Sequence, residues 1–151
     1  MDELRDLYQQ VILDHNKNPR NYHKLDNANR IAEGNNPLCG DQFTIYLFIE
    51  DNVIKDISFE GSGCAISKAS ASIMSSTLKG KSKQDAENLF DQFHKIVTGE
   101  NKDAESIKEM GKLAAFAGVA EFPVRVKCAI LPWHTMKSAL NDESKVVSTE
   151  S

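Results

Sequence analysis

A regular alternation of apolar side chains on both sides of one turn constrains the fold more than any other feature of the sequence. The first run is apolar at every second position, with Phe43, Ile45, Leu47 and Ile49. The second run continues the pattern with Val53, Ile57 and Phe59. The turn-forming residues Asp51 and Asn52 separate the two runs. The pattern therefore predicts an antiparallel β-hairpin that ends at Gly61-Ser62-Gly63.

Helical periodicity predicts most of the remaining structure. Apolar residues recur at helical spacing in four segments: 3–15, Ala65–Lys79, Ser82–Gly99 and 104–116. The other predicted elements are a short strand at Arg30–Glu33, an extended segment at Val124–Lys127, and a last helix after Cys128 with Pro132 in its first turn. This order predicts an α+β fold, in which a small antiparallel sheet is packed by helices on one face.

Length and charge indicate one soluble domain. With 151 residues the chain has the size of a single domain, which we assign to residues 1–141, followed by a polar tail at 142–151 that we expect to be disordered. A net charge of −4 disfavours a nucleic-acid partner. The longest mostly apolar run, Leu113–Ala120, is far shorter than the ~20 residues that span a bilayer. The N-terminus lacks a signal-peptide pattern, so we expect a cytoplasmic protein with no membrane partner.

Three cysteines stand at predicted element boundaries and carry the most informative chemistry. Cys39 precedes the first hairpin strand, Cys64 joins the second strand to a helix, and Cys128 joins the extended segment to the last helix. A helix N-terminus favours the thiolate, which is both nucleophile and metal ligand. Small buried cysteines can also be plain packing residues. The neighbouring Gly, Pro and charged residues favour a metal site over packing.

A tetrahedral zinc ion bound by three thiolates needs a fourth ligand. Asp41 is the first candidate, because Gly40 lets its side chain and that of Cys39 turn toward the same ion. An ordinary turn aspartate is the alternative interpretation of Asp41. The four histidines are alternative candidates for the fourth ligand: His15, His23, His94 and His134. We interpret all four as structural or solvated residues.

Four motifs in the same order resemble those of the iron–sulfur cluster assembly proteins of the IscU/NifU N-terminal type. They are Asp14–Asn21, Asn36–Asp41, Phe59–Ser67 and Val126–Ala129. The resemblance extends from Leu7 to about Leu140 and implies an α+β fold with a small antiparallel sheet. It also implies one metal or cluster site formed by Cys39, Asp41, Cys64 and Cys128.

Two features make the chain most similar to the SufU branch of this family. Scaffold proteins of the IscU kind have a histidine before the third cysteine, where this chain has Lys127. They also have a shorter connection between the second and third cysteines. The resemblance therefore implies a zinc-dependent sulfurtransferase. Such a protein accepts persulfide sulfur from a PLP-dependent, SufS-like cysteine desulfurase and passes it to downstream SUF scaffold components.

The chemistry of the residues leaves the exact role open between three alternatives. In the first, Cys39 accepts sulfur, because Pro37 and Gly40 flank it in a loop. In the second, the cysteines hold a [2Fe–2S] cluster that is later transferred. In the third, zinc only stabilises the fold. A zinc ion with three thiolates and a carboxylate would carry excess negative charge, and Arg125 and Lys127 are the candidate compensating cations.

Overall fold

The computed structural model describes residues 2–37, 40–141 and 147–148, and the predicted hairpin is at its centre. Strand β2 (Asp41–Glu50) pairs antiparallel with β3 (Val53–Ser62). Asp51 and Asn52 between them both have positive φ, 54° and 62°. Two successive positive φ values are typical of a type I′ turn, whose twist matches that of the flanking strands. The hairpin prediction is confirmed.

Two further strands extend the sheet on the β2 side. Strand β1 (Arg30–Asn36) is three residues longer than predicted and pairs antiparallel with β2. The pairing places Asn36 opposite Asp41. A two-residue strand, β4 (Val147–Ser148), lies parallel to β1, so the order is β3-β2-β1-β4. This short strand falls within the tail predicted to be disordered, and residues 142–146 and 149–151 of that tail lie outside the described residues.

The first three predicted helices are present. Their bounds are α1 Asp2–Lys17, α2 Ala65–Leu78 and α3 Lys83–Val97. Ser82 caps α3 by accepting a hydrogen bond from the Asp85 backbone N–H, as the sequence pattern predicts. Gly80, just after α2, has φ 86°, the left-handed conformation expected beyond a helix C-terminus.

The C-terminal third of the chain differs from the prediction in two places. The predicted helix at 104–116 is a short α4 (Ala104–Lys108), followed by a 3₁₀ helix at Gly111–Glu121. Gly111 interrupts the two with φ 63°. The segment Val124–Lys127 is not extended, because helix α5 (Pro123–Leu140) begins five residues before Cys128. Proline suits a first helical position, so the helix begins at Pro123, and Val124 in its first turn remains 51% exposed.

The core lies between the sheet and the helices packed on one of its faces. Helices α2 and α5 contact each other, and α5 also packs on β1 and β2. The inward strand residues are fully or almost fully buried, as the alternation predicts: Phe43, Ile45, Leu47, Ile57 and Phe59. Trp133 of α5 stacks on Phe93 of α3 with ring centroids 4.7 Å apart. No helix in the described part of the chain combines the length and apolar character needed to cross a bilayer.

Candidate metal centre

One end of the sheet brings together residues that are far apart in sequence. Because β2 and β3 are antiparallel, the first residues of β2 lie beside the last residues of β3, with Gln42 opposite Ser62. Asp41 at the start of β2 and Cys64 just after β3 are therefore neighbours. Helix α5 crosses the same end and contributes Cys128. The sheet pairing and the packing of α5 together define the position of the site.

Asp41 is 1% exposed and faces the start of helix α2. Its Oδ1 accepts a hydrogen bond from the Cys64 backbone N–H over 2.8 Å. Its Oδ2 lies 4.0 Å from Cys64 Sγ. A carboxylate has about four lone-pair sites, so beyond these two contacts Asp41 has oxygen lone pairs that could bind a metal ion. This arrangement is not that of an ordinary solvated turn aspartate.

Cys64 is half-buried and forms the N-cap of α2 through its sulfur. The Ser67 backbone N–H donates to Cys64 Sγ over 3.5 Å, and Ser67 Oγ is also 3.5 Å from that sulfur. Hydrogen bonding with Cys128 is the main cause that lowers the pKa of the Cys64 thiol to about 6, and Ser67 acts in the same direction. Burial and the Asp41 charge oppose this shift. Cys64 therefore favours the thiolate form, which binds metal.

Cys128 lies in the second turn of α5 and is 2% exposed. The prediction that it starts a helix is wrong, because α5 already begins at Pro123. One neighbour of its sulfur is the side-chain amide of Asn36, with Nδ2 at 3.8 Å, and the thiol of Cys64 is another. Pro132, four residues later and inside the helix, has no N–H to donate to the Cys128 carbonyl. The cysteine is thus presented from a helix interior rather than from a loop.

The ligand atoms of Asp41, Cys64 and Cys128 all lie within 4.8 Å of one another. Sulfur ligands about 2.3 Å from one ion at a tetrahedral angle are separated by roughly 3.8 Å, so a small inward movement lets one ion bind all three. Two thiolates and a carboxylate suit Zn²⁺, and thiolates also suit iron–sulfur clusters. The residues present therefore fit either group, with a fourth ligand still to be supplied.

The predicted fourth ligand, Cys39, lies outside the described residues together with Leu38. Its loop is nevertheless anchored at both ends, because Asn36 and Asp41 are paired across β1 and β2. Gly40 has φ 72° and is exposed, as is Pro37. The place of Cys39 among the ligands stays a prediction.

The predicted charge-compensating residues lie on α5. Arg125 is exposed, and its guanidinium lies over the Phe122 ring at 4.5 Å from the centroid. Lys127 is half-buried and directly precedes Cys128. Successive residues of a helix point about 100° apart, so Lys127 and Cys128 present different directions. The extended backbone predicted for these residues is wrong, so their directions follow from the helix.

The four histidines do not belong to the group of ligand atoms found among the described residues. His15 is buried, and its Nδ1 lies 2.7 Å from Ser72 Oγ. His23 is exposed and lies 2.9 Å from the Lys24 carbonyl oxygen. His94 and His134 both pack against the Phe90 ring, with centroids at 6.0 and 5.1 Å.

Sequence reasoning missed three residues that shape the site. A Cβ atom on Gly63 would lie 2.6 Å from both Asp41 Oδ1 and Ser67 Oγ, so only glycine lets these groups approach. Ser67 contacts the Cys64 sulfur, and Asn36 contacts the Cys128 sulfur. Their presence within the cysteine-containing motifs was the available signal. Their contacts depend on tertiary structure and were not predictable.

Comparison with known proteins identifies the class that this fold and site define. Residues 7–129 match the family described as "NifU-like N terminal domain". The chain is 36% identical to FiSufU from the thermophile Fervidobacterium islandicum AW-1, a candidate iron–sulfur cluster assembly scaffold protein for the SUF system. The two structures superpose with a TM-score of 0.80, over 90% of this chain and 98% of that one. The chain therefore belongs to the NifU-like N-terminal domain family.

Two relatives of known name are similar to this chain over nearly its whole length. The iron–sulfur cluster assembly scaffold protein IscU of Streptococcus pyogenes serotype M1 is 40% identical, over 93% of this chain and 86% of the relative. The zinc-dependent sulfurtransferase SufU of Bacillus subtilis strain 168 is also 40% identical, over 93% of both chains. The resemblance inferred from the motifs, and the α+β fold it implied, are confirmed. Equal identity to the two relatives does not separate a scaffold from a sulfurtransferase.

Proposed function

We propose that this chain is a zinc-dependent sulfur acceptor in iron–sulfur cluster biogenesis, with Cys39 as the residue that receives sulfur. The convergence of Asp41, Cys64 and Cys128 within 4.8 Å is the observation that carries the proposal. Cys39 lies two residues before Asp41, on the loop that joins β1 to β2. In the proposed centre, Cys39 completes a set of three thiolates and one carboxylate. Bound Zn²⁺ would keep these thiols deprotonated at neutral pH.

The surroundings of the three cysteines favour Cys39 as the acceptor. Cys128 is almost fully buried in α5, and Cys64 caps α2 through its sulfur. A partner's persulfide therefore has poor access to Cys128 and would uncap a helix at Cys64. Cys39 lies between the exposed residues Pro37 and Gly40. A loop thiol between exposed residues is the one most accessible to another protein's active-site cysteine.

The transfer is a thiol–persulfide exchange. The Cys39 thiolate attacks the outer sulfur of the persulfide held on the desulfurase cysteine. The S–S bond of that persulfide breaks, and its inner sulfur leaves as the thiolate of the desulfurase. A new S–S bond forms on Cys39, and the terminal sulfur keeps its proton. One S–S bond is exchanged for another, so no external oxidant or reductant is required.

The proposed reaction defines the partners. The donor is a PLP-dependent cysteine desulfurase of the SufS kind, and the receivers are downstream SUF scaffold components. We place the reaction in the cytoplasm with these proteins. The SufU name of the Bacillus subtilis relative supports this choice over a scaffold role. Lys127 adds to the support, since it stands where IscU-type scaffolds have a histidine.

A [2Fe–2S] scaffold is the second candidate, favoured by the name of the Streptococcus pyogenes relative. Metal analysis and a visible spectrum of anaerobically purified protein separate the two functions. One zinc per chain and no visible absorption support sulfur acceptance, whereas sulfur-to-iron charge-transfer bands support the scaffold. A purely structural zinc is disfavoured by the half-buried position of Cys64, because structural sites are closed.

Peptide mass spectrometry tests the acceptor directly. The zinc-loaded protein is mixed with a SufS-type desulfurase and cysteine, and the cysteine-containing peptides are analysed without reduction. We expect the mass of one added sulfur on the Cys39 peptide and no stimulation of the desulfurase by Cys39→Ala. Asp41→Ala, which keeps the thiol, should retain partial activity and bind zinc more weakly. Persulfide on Cys64 or Cys128, with Cys39→Ala fully active, would refute the assignment.

A further inference from the structure

A buried amide contacts the least accessible cysteine of the proposed centre. Asn36 is the last residue of β1 and is 0% exposed. Its Nδ2 is 3.8 Å from Cys128 Sγ, within hydrogen-bonding range for a large sulfur acceptor. Its Oδ1 is also buried and has no hydrogen-bond partner among the described residues. Buried amides usually satisfy both ends, so the position of this one next to a metal-binding thiol calls for an explanation.

Each described ligand of the centre accepts a hydrogen bond from at least one N–H group of the described residues. The Cys64 backbone N–H donates to Asp41 Oδ1, and the Ser67 backbone N–H donates to Cys64 Sγ. The Asn36 amide does the same for Cys128 Sγ. Donors of this kind offset the excess negative charge of a buried thiolate-rich site and orient its lone pairs. Two of the three donors are backbone groups, so only Asn36 can be removed by substitution.

The strand pairing explains how Asn36 reaches this position. Asn36 and Asp41 are opposite each other on the β1–β2 ladder. This one residue pair of the sheet therefore contains a metal ligand, Asp41, and Asn36, the hydrogen-bond donor to a second ligand. Since Cys128 belongs to α5, the contact between Asn36 and Cys128 links the helix to this residue pair. A change at Asn36 should therefore alter how α5 presents its sulfur to the ion.

We propose that Asn36 is a positioning residue of the metal centre. Its side-chain N–H donates to Cys128 Sγ and holds that thiolate toward the ion shared with Asp41 and Cys64. This inference rests on the proposed metal centre but not on sulfur transfer by Cys39. Partners of metal ligands typically change metal affinity by about 10–100-fold when they are substituted.

The test compares three variants of the full chain. Asn36→Asp keeps the side-chain shape but replaces the donor by an acceptor, and Asn36→Ala removes both. Asn35→Ala is the matched control, because Asn35 precedes it in the same strand and is only half-buried. Zinc affinity is measured by competition with a chromophoric chelator. The sulfur-to-cobalt charge-transfer band of the Co²⁺-substituted protein reports on the thiolates themselves.

We expect both Asn36 variants to bind zinc about 10–100-fold more weakly and to shift the Co²⁺ band. Asn35→Ala should match the wild type within about twofold. If Asn36→Asp fails to fold, as judged by circular dichroism, Asn36→Ala decides, since it buries no charge. Unchanged affinity and an unchanged Co²⁺ band in a folded Asn36 variant overturn the inference, as does a wild-type protein that binds neither metal. Zinc binding without persulfide on Cys39 refutes only the proposed function.

Discussion

At the scale of single residues, Gly63 determines how closely the carboxylate and the α2 N-terminus approach. A methyl group at Gly63 would clash with Asp41 Oδ1 and Ser67 Oγ at 2.6 Å. Asp41 is buried by the β1–β2 ladder and cannot move away freely. The close approach of Asp41 and Cys64, on which the metal centre depends, therefore requires glycine at this position.

We expect Gly63→Ala to weaken zinc binding and to lower the free energy of unfolding by about 1–3 kcal/mol, the usual cost of overpacking. Gly118→Ala is the control, because a Cβ there meets no atom within 4 Å. Chelator competition measures the affinity, and urea denaturation measures the stability. Equal zinc affinity in Gly63→Ala and Gly118→Ala would contradict the steric argument.

His15 makes the stability of the folded protein sensitive to acid. Burial, with smaller contributions from the charges of Arg20 and Lys112, lowers the pKa of His15 to about 4. Between about pH 6.5, the ordinary histidine pKa, and pH 4, the His15 side chain is protonated in the unfolded chain but neutral in the folded protein. The unfolded state then binds more protons, so stability falls as the pH decreases from about 6.5 to 4.

A titration followed by NMR checks this expectation. The ring protons of His15 should show a midpoint near pH 4. The linked loss of stability across the window should reach at most about 3 kcal/mol. In the variant His15→Gln this part of the pH dependence should disappear. A midpoint near the ordinary histidine value in the folded protein would show that burial does not control the proton affinity of His15.

At the scale of elements, helix α2 depends on a thiol for its N-cap. Cys64 Sγ accepts from the Ser67 N–H at the place where α3 uses the hydroxyl of Ser82. Sulfur is a weak acceptor when protonated and a better one as a thiolate. A metal ligand and a helix cap are thus the same atom, which couples the start of α2 to the centre.

Two substitutions separate the cap from the ligand. Cys64→Ala should lower the stability of the metal-free protein by about 1 kcal/mol, whereas Cys64→Ser should restore most of the loss by providing a hydroxyl cap. Both should lose most of their zinc affinity. Ser82→Ala, the control at the α3 cap, should show a similar loss of stability with normal zinc binding. If metal-free Cys64→Ala and Cys64→Ser unfold at the same urea concentration, the thiol does not cap the helix.

At the scale of the whole molecule, the proposed centre joins the β1–β2 connection, α2 and α5. These elements come from distant parts of the chain and meet only in the folded state. An ion that binds only the folded protein stabilises it by mass action, by about 2.7 kcal/mol when its free concentration is 100 times Kd. The centre should therefore contribute to global stability as well as to chemistry.

Removal of zinc by a chelator should lower the Tm of the wild-type protein. Cys128→Ala, which lacks a buried ligand, should show a smaller shift or none on the same treatment. Differential scanning calorimetry with metal analysis of each sample measures both quantities. Complete loss of zinc with an unchanged Tm would mean that metal binding and folding are not coupled.

The sequence alone determined those elements whose signals are local. The hairpin follows from a period of two around a turn that tolerates positive φ, and the start of α3 follows from a serine cap. The candidate ligands Asp41 and Cys64 could be chosen because they stand next to glycine at the boundaries of the hairpin strands. The choice of Cys128 rests on the resemblance, because the helix predicted to start there begins at Pro123. The resemblance of four short motifs added the fold and the family.

Only the tertiary structure decided what depends on packing between distant segments. The sequence predicts an extended segment before Cys128, yet this segment forms the first turn of helix α5, with Val124 51% exposed and Val126 packed against the core. The same packing brings Cys128 next to Asn36, and the β2–β3 pairing brings Asp41 next to Cys64. These contacts join residues with no local relation in the sequence. They exist because burial of the helix and strand faces against one another leaves a single arrangement of their ends.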